Sequence, residues 1–321
     1  MKKWLCVVLL FVLLQPSAQA AGHAYAVIDA QTGRMLMGAN EHVRLPIASL
    51  TKIWTALIVL ENSELHDKVT ISERAALSEG SSIYLEKGQT YSIETLLYGL
   101  MLRSGNDAAY ALAEHVGGSV EGFVYLMNER AQLAGLSATK FSNPSGLHNE
   151  EHLSSAYDTA RMLQIAMRNE QFKKIASTVI FNGEQSWKNK HRLLSENNGA
   201  VAGKTGYTKV AGRTLATYFQ KEQKHFIVVT LNESNDWRVH TALADHIASN
   251  YAERTLAKKG IYTVAGEKIT VNEPIKMLVT KAEVRDMQHV VYLPTDPHKK
   301  EAIWYVYDKG RPVHAVAVQR E

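Results

Sequence analysis

Residues 49–61 constrain this chain more than any other stretch. Apart from Ser49, Thr51, Lys52, Thr55 and the closing Glu61 the run is apolar, and it is long enough for a helix that must be buried on most sides. The flanking patterns supply elements to bury it. Residues 25–29 and 34–37 read as strands around Gln31-Thr32-Gly33, a hairpin. Helical patterns follow at 93–102, 107–116 and 120–133, stopped by Gly117-Gly118 and Gly135. Ser155, with Asp158 three residues on, predicts a capped helix as far as Met167. Residues 213–220 and 225–231 predict a second hairpin, and a last helix is expected over 237–258, before Gly260. Strands at both ends of a helical middle predict an α+β domain with one antiparallel sheet. From Ile261 onward the sequence is strand-like at 275–279, 290–293, 303–307 and 313–318, with a turn at Gly310. The expected division is a leader at 1–20, a main domain at 21–260 and a small β-rich domain at 261–321.

The leader reads as a secretory signal. Lys2 and Lys3 precede an apolar run at 4–14, Pro16 breaks it, and Ala18-Gln19-Ala20 gives a small-residue cleavage pattern. The run is too short for a hydrocarbon core that needs roughly 20 residues. An exported protein is expected. Cys6, the only cysteine, lies in that leader, so thiol catalysis and disulfide staples are excluded from the mature chain. Composition excludes further classes. With 45% apolar and 21% charged residues the chain is an ordinary globular protein, not a disordered one. A formal charge of +4 with no block of like charges gives no footprint for nucleic acid.

Three short motifs occur in order: Ser49-x-x-Lys52, Ser104-Gly105-Asn106 and Lys204-Thr205-Gly206. Each is weak alone, although Lys-Thr-Gly is expected by chance only about 0.08 times in such a chain. A second Ser-x-x-Lys, Ser137 to Lys140, merely leads into a Pro/Gly loop, whereas the first opens the most apolar helix. There Ser49 and Lys52 share one face, and the helix start offers N–H groups to whatever the hydroxyl attacks. Lysine serves as a base only if burial or a neighbouring cation depresses its pKa, and Lys204 could be that cation. Read as structure alone, Ser49 is a helix cap and Lys52 a snorkelling side chain.

The set, with Pro46-Ile47-Ala48 before the first motif, Asp107-Ala108 after the second, Asn143-Pro144-Ser145-Gly146-Leu147, and Tyr207-Thr208 with Ala211-Gly212-Arg213, resembles penicillin-binding proteins and serine β-lactamases. In its surrounding residues it looks most like the low-molecular-weight D-alanyl-D-alanine carboxypeptidases, the S11 serine peptidases. That resemblance covers residues 24–260 and implies the transpeptidase-like fold, an antiparallel sheet with helices on both sides, followed by a small β module. It implies removal of the terminal D-alanine from peptidoglycan stem pentapeptides without metal or cofactor, and covalent inhibition by β-lactam antibiotics. Ser49 would form the acyl-enzyme, Lys52 accept its proton and Ser104 relay a proton to the leaving amine. Asn106 would bind the substrate's peptide amide, and Lys204 and Thr205 its terminal carboxylate, a free charge that a lysine suits. The N–H groups of Ser49 and Tyr207 would hold the oxyanion, and Arg238 falls about where the family places another carboxylate-binding arginine. Two departures stand out. The family often has one more residue between Gly203 and Lys204, so the register or the preceding loop differs. Its C-terminal amphipathic anchor has no counterpart in the strand-like 313–318, which leaves peripheral membrane contact open.

Rival readings are weaker. A class A β-lactamase needs a Glu-x-x-Leu-Asn loop, and Glu170-Gln171-Phe172-Lys173 does not fit. His148-Asn149-Glu150-Glu151-His152 matches a zinc-peptidase pattern, but Pro144, Gly146 and the Ser154-Ser155 cap predict a loop where a helix is required. Gly199 to Thr205 falls one residue short of a phosphate-binding loop and lacks its strand–helix context. A non-catalytic wall-binding module would not need Ser49, Lys52 and Ser104 together.

Overall fold

The computed structural model describes residues 22–183, 185–296 and 298–321; the expected leader, with Cys6, lies outside them. Strands β1 (Ala24–Asp29) and β2 (Met35–Ala39) form the first hairpin. A 3-10 turn at Ala48–Leu50 leads into α1 (Thr51–Asn62). The helical middle continues with α2 (Ile93–Tyr98), α3 (Asn106–Gly117), α4 (Val120–Leu133), α5 (Ala156–Ala166) and α6 (Glu170–Ser177). Then β3 (Ala200–Thr208), β4 (Gly212–Lys221) and β5 (Lys224–Leu231) return to the sheet, and α7 (Asp236–Asn250) follows. The strands are antiparallel neighbours in the order β2-β1-β5-β4-β3, so the first described strand lies inside the sheet against the last strand to join it.

Period-2 alternation gives this sheet two apolar faces. Ala26, Ile28, Ile227 and Val229 point into the larger core around α1, while Val27, Phe226 and Val228 meet Ala244 and Ile247 of α7. Every residue of α1 from Thr51 to Val59 is buried, and Trp54 donates its indole N–H to the Met127 carbonyl at 3.0 Å. Lys52 is therefore a cation in a core position. The Ser155 cap forms as expected, with its hydroxyl accepting from the Asp158 N–H at 3.0 Å.

Two helices end earlier than the sequence predicts. The pattern at 93–102 breaks after Tyr98 into a π-helical turn at Gly99–Arg103, which delivers Ser104 in a left-handed conformation, φ 65°. The pattern at 237–258 stops at Asn250. The next residues form β6 (Ala252–Ala257), because pairing with a later strand outweighs a weak local helix preference. Helix α6, capped by Asn169, was not anticipated.

The remaining chain adds β7 (Gly260–Val264), β8 (Glu267–Val271), β9 (Ile275–Val279), β10 (Met287–Tyr292), β11 (Glu301–Asp308) and β12 (Arg311–Arg320). β6 pairs with β9, and the other five form a sheet in the order β7-β8-β12-β11-β10. They share a core of their own around Ile269, Met277, Trp304 and Val306. The two parts are joined near the β1–β2 turn. Arg34 donates to the Leu278 carbonyl at 2.7 Å and pairs with Glu283, and the Leu278 N–H donates to Asp29 at 2.8 Å.

Candidate active site

Ser49 sits at the entrance of α1, in a bend held from three sides. Ala48 is left-handed, φ 48°; the Thr51 hydroxyl donates to the Ala48 carbonyl at 2.8 Å, and that of Thr214 to the Ile47 carbonyl at 3.1 Å. On the third side Gly146, φ 83°, lies so close that a Cβ there would fall 1.9 Å from the Ala48 oxygen. Across the cleft runs β3: a Cβ on Gly206 would come within 2.9 Å of the Ser49 nitrogen. The edge strand's backbone thus passes directly beside the nucleophile.

Lys52, with no exposed surface, places its Nζ 3.0 Å from Ser49 Oγ, 2.7 Å from Asn106 Oδ1 and 2.6 Å from the Ser145 carbonyl. Burial first, then the positive charges of Lys204 and Lys190, hold its pKa well below the usual lysine value, with Asp107 pulling weakly the other way. The two carbonyl acceptors decide what the uncharged amine does. They take both of its hydrogens, which leaves the lone pair for the Ser49 hydroxyl.

A second amine stands on the opposite wall. Lys204, 1% exposed, donates to Ser104 Oγ at 3.0 Å and to the Thr205 carbonyl at 2.9 Å. Burial, then Lys190, lowers its pKa to about 7. Its strand carries a register shift against β4 between Ala200 and Ala202, a local adjustment just upstream of the position where this sequence departs from the family pattern. Ser104 and Asn106 flank the turn into α3. The Asp107 carboxylate anchors that turn, accepting from the Ser82 hydroxyl at 2.6 Å and from the N–H groups of Ile83 and Leu85 at 2.9 and 3.1 Å.

The cleft between these walls encloses about 310 Å³ and is lined by Ser49, Ser104, Thr205 and Tyr207, which the sequence singled out. Lys52 and Lys204 lie in its floor. Asn106 is 4% exposed and both ends of its amide are engaged, Oδ1 by Lys52 and Nδ2 by the Glu79 carbonyl at 2.5 Å, so it sits beneath the amine rather than in the opening. Arg238 does not line the cleft. It is exposed and lines the adjoining hollow with Arg192 and Asn235, because the helical start of α7 turns it outward. Arg213 lines the cleft in its stead, tied to Asp236 at 2.8 Å, together with Lys190 and Trp237. Sequence reasoning singled out none of these four as site residues; Arg213 alone left a signal, in the Ala211-Gly212-Arg213 stretch.

The zinc-peptidase pattern has no site. His152 is 2% exposed, with Nε2 2.7 Å from the Thr51 hydroxyl and Nδ1 accepting from the Ser142 N–H at 3.1 Å, while His148 is exposed. Among the described residues no three His, Cys, Asp or Glu converge as metal ligands. Residues 200–205 open β3, Gly199 precedes it, and another strand, not a helix, follows.

A family model described as D-alanyl-D-alanine carboxypeptidase matches residues 13–235. The chain belongs to that family. Among relatives of this carboxypeptidase family, DacF of Bacillus subtilis, a D-alanyl-D-alanine carboxypeptidase, is 35% identical over 288 residues, 82% of this chain and 73% of that one. A D-alanyl-D-alanine carboxypeptidase structure from Mycobacterium tuberculosis superposes with a TM-score of 0.66 at 30% identity, covering 69% of this chain and 89% of that one. The fold extends beyond the catalytic part. DacD of Francisella tularensis covers 92% of both chains with a TM-score of 0.74 at 24% identity.

Proposed function

We infer that this member of the carboxypeptidase family is a serine-type D-alanyl-D-alanine carboxypeptidase, which removes the terminal D-alanine of peptidoglycan stem pentapeptides through an ester on Ser49. The observation that carries the reading is the buried, depressed Lys52 amine within 3.0 Å of the Ser49 hydroxyl. Ser49 Oγ attacks the penultimate carbonyl as Lys52 Nζ takes its proton. The N–H groups of Ser49 and Tyr207 receive the oxyanion, where losing one donor typically costs about 10²–10³ in rate. The D-alanine amine leaves with a proton passed through Ser104, and water, deprotonated by Lys52, then hydrolyses the ester. The substrate carboxylate lies against Lys204 and Thr205, with Lys190 and Arg213 adding positive charge at the rim. Both β-lactams and stem peptides present the carbonyl and carboxylate this cleft requires.

A β-lactamase would need a carboxylate base beside the ester. The only acid lining the cleft among the described residues is Asp236, and Arg213 and the Trp237 N–H hold it at 2.8 Å each. Penicillin should therefore remain attached. Intact mass after penicillin treatment, with the adduct mapped to the peptide carrying Ser49 and lost in Ser49→Ala, tests the reading; rapid penicillin turnover without an adduct overturns it. The charged, then apolar, leader supports action outside the cytoplasm, on the cell wall, in vegetative trimming, shape control or spore-wall formation. The division into 21–260 for catalysis and 261–321 for the β-rich part cuts across the β6–β9 pairing.

A further inference from the structure

A second cavity, about 750 Å³, opens at the opposite edge of the first sheet, against the β1–β2 turn. It also lies at the other end of the strands: the Ala30 N–H of that turn bonds to the His225 carbonyl where β5 begins, whereas Ser49 faces Gly206 near the end of β3. The cavity is independent of the catalytic cleft. Its walls come from the β1–β2 turn, from α5 with the residues just after it, and from the start of β12, and they bring four guanidiniums: Arg34 from the turn, Arg161 and Arg168 from α5 and its end, and Arg311 from β12. His42 and His314 complete the basic lining, none of the lining residues is acidic, and of the four arginines Arg34 alone is paired, with Glu283.

The other three are unusual in lacking partners. Among the described residues no ion pair or side-chain hydrogen bond engages Arg161, Arg168 or Arg311. The Arg161 Nε is buried without an acceptor, and its guanidinium lies against Gly33, where a Cβ would fall 2.3 Å from Nη1. Glu41 stands 3.9 Å from the lining His42, and the other carboxylates nearby are occupied. Asp29 accepts from the N–H groups of Gln31 and Leu278 at 2.8 Å each, Glu253 pairs with Lys276 at 2.9 Å, and Glu283 pairs with Arg34. Like charges gathered around one hollow repel, and a bound anion relieves that repulsion.

We propose that this cavity binds a soluble ligand carrying two or more phosphate groups. Guanidinium forks match phosphate oxygens in pairs, and three unpaired ones, two from α5 and its end and one from β12, surround a volume many times that of one water, whose share of liquid is about 30 Å³. The arginines line a recess between the two sheets, which favours a chain or small molecule entering it over a flat membrane surface. Because the walls belong to both the catalytic part and the C-terminal sheet, the ligand clamps them together and raises the melting temperature by mass action.

Tripolyphosphate is the probe, titrated calorimetrically into the chain lacking its leader, at low ionic strength and neutral pH. One saturable site is expected, with a rise in Tm. The double variant R168Q/R311Q, which alters only exposed side chains, should bind about tenfold or more weakly while Ser49 still acylates with penicillin at the same rate. Citrate, with similar charge on carboxylates, should bind more weakly than tripolyphosphate. The proposal fails if tripolyphosphate does not saturate, if the double variant binds it equally well, if citrate binds as tightly, or if only phosphatidylglycerol vesicles are bound.

Discussion

Lys52 is aimed by two neutral oxygens, not by an acid. Removing one of them should leave the amine present but misdirected, so Asn106→Ala should lower the rate of penicillin acylation by about 10²-fold. Stopped-flow acylation measures it; an unchanged rate would mean that the Ser145 carbonyl suffices. The second amine sets the pH range. Lys52 must be uncharged to accept a proton, so the rate rises with pH through its depressed pKa. Lys204 must be charged to hold a carboxylate, and its pKa near 7 makes carboxylate recognition fade above neutrality. Lys204→Arg, always charged, should remove that descending limb from the pH profile of kcat/KM for a peptide substrate. Ser49 and Lys52 were legible because their partnership is local, one helical turn apart. Ser104 and Lys204 were legible only as motifs: 100 residues separate two atoms that meet at 3.0 Å. Lys190 and Trp237 carry no spacing signature at all, since only the folded sheet brings them to the cleft.

At the scale of elements, the cleft is a junction of bends. Gly146 has both a left-handed φ and a backbone oxygen where its Cβ would go, so Gly146→Ala must push the Ala48 turn and Ser49 with it. Loss of penicillin labelling is expected, with far-ultraviolet circular dichroism near that of the parent chain. Asp107 ties the turn before α3 to the loop at Ser82–Leu85. In Asp107→Asn an amide N–H replaces an acceptor facing N–H donors, a mismatch worth about 1–3 kcal/mol in chemical denaturation. The elements best read from sequence were those with local punctuation, such as α4, closed by Gly135, and α5, opened by Ser155. The π-turn before Ser104 and the early end of α7 were not readable. The first depends on packing around Gly99, where a Cβ would strike Ile83 at 2.4 Å, and the second on a strand partner some twenty residues ahead.

For the whole molecule, the buried basic groups act in one direction. Burial, with the Lys52 charge, holds His152 near pKa 4, and burial does the same for His191. His191 also begins a polar chain behind β3, through Thr217 at 2.9 Å to His240 at 2.8 Å and on to Thr230 at 3.0 Å. Since the unfolded histidines protonate near 6.5 and the folded ones only near 4, their contribution is present above 6.5 and is lost as pH falls toward 4, about 3 kcal/mol for each. Lys204 adds stability in the same sense between pH 7 and its unfolded value. Urea midpoints should therefore climb from pH 4 to 6.5 and again from 7 to 9; a flat profile across the acid window would show that these imidazoles are charged in the folded state.

The placement of β1 also fixes when activity can arise. Its outer residue, Ala24, is matched with Leu231, so the first strand to leave a ribosome or a translocation channel waits for one made roughly 200 positions later. Every nascent fragment that stops short of Leu231 lacks a closed sheet and, with it, a wall for the nucleophile. Until that pairing forms, the sheet that holds Gly206 beside Ser49 is incomplete.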